Sequence, residues 1–266
     1  MSKDYDGSYS YFEDLAKESM EKGDYKSAEK YLMILLAKCE SNSQEDKSWQ
    51  LQLPICYINI GNLALASKNT VKAEELFLKA LELTNQLIQE NPALRREAGL
   101  VNIFYKLMNL YTHLERNDEA ASYYSKILQE LDEMIQSNIY DSNLSQAESI
   151  CIRKSELINE CFKTFPSRTP TDLLDTVRTL QIIYSLQMNV EKGINLCNEF
   201  IPLCQAMASL EPEKYTPYMA GLYMNAFTYT LNEDYLNKAL NYAKQHPEDD
   251  KSKEVIELAN GLSSFQ

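Results

Sequence analysis

The chain has 266 residues, 44% of them apolar, with only seven glycines and eight prolines, enough to bury one large core or two small ones. A net charge of −13 and an isoelectric point near 4.7 repel phosphate backbones and anionic lipid surfaces. No basic patch opposes that field, so neither a nucleic acid nor a membrane is expected as a partner.

The opening MSKDYDGSYSYFED is acidic and lacks the positive region of a secretory signal; its Tyr5, Tyr9 and Tyr11 are expected to dress a frayed first turn. The longest apolar stretch, YLMILLAKC at 31–39, falls well short of the roughly 20 residues a membrane span needs. Cys39, Cys56, Cys151, Cys161, Cys197 and Cys204 sit inside apolar patterns and never as Cys-x-x-Cys, which predicts buried free thiols in a reducing, cytoplasmic setting.

Helical periodicity dominates. Ala28, Tyr31, Leu32, Leu35, Leu36 and Cys39 form one apolar stripe at helical spacing. Leu76, Phe77, Ala80, Leu81, Thr84, Leu87 and Ile88 form a second, and Ala120, Tyr123, Tyr124, Ile127, Leu128, Leu131 and Ile135 a third. Each stripe follows a polar break, GDY at 23–25, SKNT at 67–70 and ERND at 115–118, with another amphipathic helix before it. Alternating runs flanked by Asn-Gly or Asp-Gly turns are absent, so the chain is predicted to be all-α. The small residue of each second helix recurs at a near-constant interval: 45 residues from Ala28 to Ala73, 47 from Ala73 to Ala120, and 46 from Gly193 to Ala239. Such a period predicts stacked helical hairpins.

These residues resemble the tetratricopeptide repeat, whose signature is Trp-x2-Leu-Gly-x2-Tyr, then Ala-x3-Phe. The second hairpin reads Tyr57, Ile60, Gly61 and Ala64, then Ala73 and Phe77. The third reads Phe104, Leu107, Met108 and Tyr111, then Ala120 and Tyr124; the first reads Phe12, Leu15, Ala16 and Ser19, then Ala28 and Leu32. Later copies are weaker: Val177, Leu180, Gln181 and Tyr184 lead to Gly193 and Cys197, and Tyr223, Ala226, Phe227 and Thr230 lead to Ala239 and Ala243. The first position lies 16 residues before the small anchor in all five. The period exceeds the signature's by about 11 residues, close to three helical turns, so longer helices preserve the apolar face. Longer variants in bacterial proteins and kinesin light chains look similar.

The resemblance implies a single right-handed α-solenoid over 1–266, a tetratricopeptide-like superhelix with hairpins at about 9–40, 47–90, 93–137, 170–209 and 213–246. An extra helix is expected at about 144–164 and a capping helix at about 250–262. Gly61 and Ala73 are expected where paired helices cross most closely. Thr169 with Pro170 and Asp172 looks like a capping box. NPALRREAGL at 91–100 parallels EPEKYTPYMAGL at 211–222, each a proline opening a helix that runs into Ala-Gly-Leu.

No catalytic constellation stands out. His113 and His246 are in no metal-ligand spacing, no glycine-rich loop can hold a phosphate, and Cys197 and Cys204, seven apart on one face, suit core packing. A non-enzymatic protein without cofactor or metal is expected. The resemblance instead implies a groove read by first-helix positions one turn apart. Those positions are Asn59 and Asn62; Asn102, Tyr105, Lys106 and Asn109; Arg178; and Met224 with Asn225. Asparagine amides pair with the backbone of an extended peptide whatever its side chains. The family's carboxylate-clamp pattern needs Lys and Asn in the first hairpin, where this chain has Glu13 and Lys17, so a neutral or basic peptide or protein segment suits it better than an acidic tail. Tyr105 and Tyr218 are candidate interface anchors. A ligand-gated regulator that binds a signalling peptide and a self-associating structural module are the alternatives, so a homo-oligomer is left open.

Overall fold

A computed structural model describes residues 8–43 and 47–263. Tyr5 and the rest of the opening through Gly7 lie outside the described residues. Among the described residues α-helices follow one another without a strand: α1 Ser8–Glu21, α2 Tyr25–Asn42, α3 Lys47–Ala66, α4 Thr70–Glu90, α5 Leu100–His113 and α6 Asn117–Tyr140. Then come α7 Leu144–Glu160, α8 Thr169–Leu186, α9 Val190–Leu210, α10 Pro212–Thr230, α11 Glu233–Ala243 and α12 Asp250–Ser263. No described helix is long and apolar enough to cross a membrane.

One turn design recurs at five of the connections between these helices. Gly23, Lys68, Glu115, Ser142 and Met188 each take a positive φ, between 52° and 73°. The amide that follows each of them reaches back five residues, as in Asp24 to the Ser19 carbonyl and Asn69 to the Ala64 carbonyl, both 2.8 Å. Those bonds satisfy carbonyls that the ending helix leaves unpaired. Asp24, Asn69 and Asn189 then turn their side chains to accept the amides of Ser27, Lys72 and Lys192, all at 3.1 Å, which caps the next helix. The sixth turn uses a single back-bond, Leu231 amide to Phe227 carbonyl at 2.7 Å, with Leu231 at φ 56°.

Two compact units divide the chain, Met1–Asp132 and Glu133–Gln266. In the first, α1 to α4 stack as antiparallel hairpins over a core that includes Ala28, Leu32, Leu35, Cys39, Cys56, Ile60 and Leu63. Tyr9 belongs to that core and is no fraying ornament: it is 3% exposed, its hydroxyl lies 3.9 Å from the Cys56 sulfur, and its ring edge meets Trp49. The second unit gathers Leu174, Val177, Cys204, Tyr215, Met219, Tyr223, Ala239 and Val255 around α10. Here α7 is a full partner in the stack, since Glu148 accepts from Gln187 at 3.0 Å and from Lys192 at 2.5 Å.

Two local expectations are corrected. Thr169 does not cap α8: it is fully buried and its hydroxyl donates to the Phe165 carbonyl at 3.1 Å, four residues back. The two Ala-Gly-Leu segments also differ. Pro92–Arg96 forms only a short 3₁₀ turn, Gly99 at φ 72° breaks the chain, and α5 starts after it, whereas α10 runs unbroken from Pro212 through Gly221. The 3₁₀ turn is held by Arg95, which grips the buried Glu130 carboxylate with two bonds of 2.8 and 2.7 Å.

Candidate functional site

In the first unit the first helices of two hairpins, α1 and α3, wall a cleft of about 490 Å³. Cys56, Ile60 and Leu63 hold α3 in the core, so Asn59 and Asn62, one turn apart, are left half-buried on its other side. Both line the cleft, opposite Glu13, Asp14, Lys17 and Glu21 of α1. The Asn59 amide donates to Glu13 at 3.2 Å, which fixes which way it points. Three carboxylates against one ammonium make the lining acidic.

On α5 the buried Ile103, Leu107, Leu110 and Tyr111 define the inner face. Asn102, Lys106 and Asn109 follow one another at helical spacing on another face, with Asn102 and Asn109 exposed and Tyr105 and Lys106 half-buried.

In the second unit Arg178 of α8 and Asn225 of α10 line one small hollow of about 60 Å³, together with Met224. Arg178 is ion-paired to Glu254 of α12, and the Asn225 amide donates to the Gln181 side chain at 2.7 Å. Tyr218, read from sequence as an interface anchor, is instead a packing residue. It is 7% exposed, its hydroxyl donates to Asp175 at 2.8 Å, and the Lys251 ammonium sits 4.4 Å from its ring centre. Burial, then the Asp175 carboxylate, pushes its hydroxyl pKa up. Sequence reasoning missed Glu254 and Lys251 because α12 carries no signature residue to align. It also missed Asp14 and Glu21, which only the α1–α3 approach brings opposite the asparagines.

Among the described residues no group of three His, Cys, Asp or Glu side chains could hold a metal ion. His113 is exposed at the end of α5, and His246 lies 3.1 Å from the Glu213 carboxylate. Cys197 and Cys204 are buried.

No protein-family model and no curated protein sequence matches the chain. Solved structures similar to it include BtubC (BKLC) from P. vanneervenii, at 16% identity over 94% of this chain and 80% of that one, with a TM-score of 0.41. A tetratricopeptide repeat protein from Parabacteroides merdae is similar at 17% identity over 95% and 98% of the two chains, with a TM-score of 0.28. The hairpins are tetratricopeptide-like by their own geometry. Gly61 of the first helix lies so close to Phe77 of the second that a Cβ would stand 2.5 Å from the ring, at the two signature positions. Among the described residues the protein is an all-α array of helical hairpins.

Proposed function

We propose that this protein is a non-enzymatic scaffold whose first-helix faces hold an extended peptide or protein segment, neutral or basic in charge. The observation that carries the reading is the α1–α3 cleft, where Asn59 and Asn62 face an acidic wall of Glu13, Asp14 and Glu21. A pair of amides one turn apart can accept from and donate to a peptide backbone, and the carboxylates attract lysine or arginine side chains beside it. Asn102, Tyr105, Lys106 and Asn109 on α5, and Arg178 and Asn225 in the second unit, belong to the same proposal as further first-helix contacts.

A positional-scanning peptide library tests it. Wild-type protein is expected to enrich lysine and arginine, and the Asn59→Ala, Asn62→Ala double variant to lose about tenfold in affinity or more with an unchanged melting temperature. Equal affinity of the two proteins for every recovered peptide would remove the cleft from the reading. Loss in an Asn102, Lys106, Asn109 triple-alanine protein alone would move the site to α5.

A further inference from the structure

Glycine within a helix is unfavourable relative to alanine, because its backbone loses more freedom and it packs nothing. The structure gives a reason for most glycines it describes. Gly23 and Gly99 take positive φ, at 73° and 72°. Gly61 and Gly193 meet rings, since a Cβ there would stand 2.5 Å from Phe77 and 2.3 Å from Tyr229. Gly221 has neither reason: it lies inside α10, outside the positive-φ set, and a Cβ built on it meets nothing within 4 Å. Gly261 shares that freedom, but it is exposed in the last turn of α12, where little depends on it.

What the missing side chain leaves is the hollow of about 60 Å³, with Gly221 in its lining between Leu174 of α8, Tyr218 of α10 and Leu258 of α12. These walls are largely apolar; of the charges beside them, Arg178 and Glu254 are paired to each other, and the Lys251 ammonium sits 4.4 Å from the Tyr218 ring centre. An engineered cavity of about 150 Å³ takes a benzene ring, so this one is too small for a ring and fits a branched aliphatic group. So small an apolar contact holds a free molecule weakly, but it serves well as a socket for one side chain of a longer ligand. The Asn225 amide, oriented by Gln181, lies beside it to meet that ligand's backbone.

We propose that the Gly221 hollow is a socket for a single branched aliphatic side chain, leucine, isoleucine or valine, of a bound polypeptide. The inference rests on the peptide-binding reading above and adds a specificity to it. The probes are peptides recovered by panning a random displayed library on the wild-type protein, measured against Gly221→Ala, Gly221→Leu and the Asn59→Ala, Asn62→Ala double variant. Gly221→Ala is expected to raise the melting temperature, because the methyl group meets nothing and the helix gains. Gly221→Leu should stay folded and bind the peptides about tenfold more weakly or worse. Replacing the peptide's key aliphatic residue by alanine should cost as much on wild type and almost nothing further on Gly221→Leu. Undiminished binding by Gly221→Leu overturns the socket, as does a lowered melting temperature for Gly221→Ala, or recovery of no peptide with an essential aliphatic residue. If peptides lose affinity only on the asparagine variant, the first-helix reading stands and the socket falls.

Discussion

Phe77 has no exposure at all, and its ring occupies the space that a side chain on Gly61 would fill. The ring cannot swing aside without displacing core neighbours, so Gly61→Leu is expected to cost about 1–3 kcal/mol through overpacking, read as a lowered urea midpoint. An unchanged midpoint would mean that the hairpin closes on some other contact. This close approach was legible in the sequence because Gly61 and Phe77 stand at signature positions. Gly193 was legible only by half: its smallness was expected at its own hairpin crossing, yet the ring it accommodates is Tyr229, from the first helix of the next hairpin. The cysteines follow burial more simply. All six are free and buried, and burial pushes Cys161 and Cys197 up from 9.0 to about 11 and Cys204 to about 12. A thiol whose folded pKa is raised keeps a proton that the unfolded chain releases. Its contribution is therefore full below about 9 and fades as pH rises toward about 12. The urea midpoint is expected to fall across that window, less steeply in Cys204→Ala than in wild type relative to each protein's own neutral-pH value. Iodoacetamide at pH 8 should label the thiols of the native protein far more slowly than those of the protein in guanidinium, and equal rates would contradict the burial.

At the scale of elements, the turns were the most legible feature and the starts of helices the least. A small polar cluster with Asp or Asn marked each break because one residue must take a left-handed φ and the next must cap, as Asp24 and Asn69 do. What the cluster does not fix is which residue bends. Met188 and Leu231 do so as ordinary side chains, at φ 52° and 56°, while being 88% and 75% exposed. Because asparagine tolerates that conformation and Leu231 has little packing to lose, Leu231→Asn is expected to raise stability by about 1 kcal/mol. A lowered urea midpoint would show that the leucine makes a contact worth more than the strain. The two Ala-Gly-Leu segments show the opposite limit. Glycine fits both a break and a helix interior, so the tripeptide alone could not say that Gly99 ends one element while Gly221 lies within another. The Arg95 grip on Glu130, 35 residues away in sequence, holds the 3₁₀ turn that separates the two cases, and no local pattern announces it.

At the scale of the whole molecule, the charge of −13 and the α1–α3 cleft argue for the same kind of partner by different routes. A diffuse negative field speeds the approach of any cation, whereas three carboxylates in one cleft hold a cation in place. The field could be read from composition; the cleft could not, since Glu13, Asp14 and Glu21 belong to a different hairpin from Asn59 and Asn62, and their spacing in sequence says nothing of which side chains face across. Ionic strength separates the two effects. The screening length shrinks from about 30 Å at 0.01 M salt to about 8 Å at 0.15 M, so a contribution from the distant field fades over that range while contact pairs persist in part. A lysine-containing peptide is expected to bind faster at low salt in both wild type and a Glu13→Lys, Asp14→Lys protein, because two substitutions of +2 each take the net charge only from −13 to −9. Its dissociation should be markedly faster from the charge-reversed protein at 0.15 M. If the two proteins release the peptide at the same rate, the acidic wall contributes nothing beyond the general field, and the preference for a basic partner belongs to the molecule and not to the cleft.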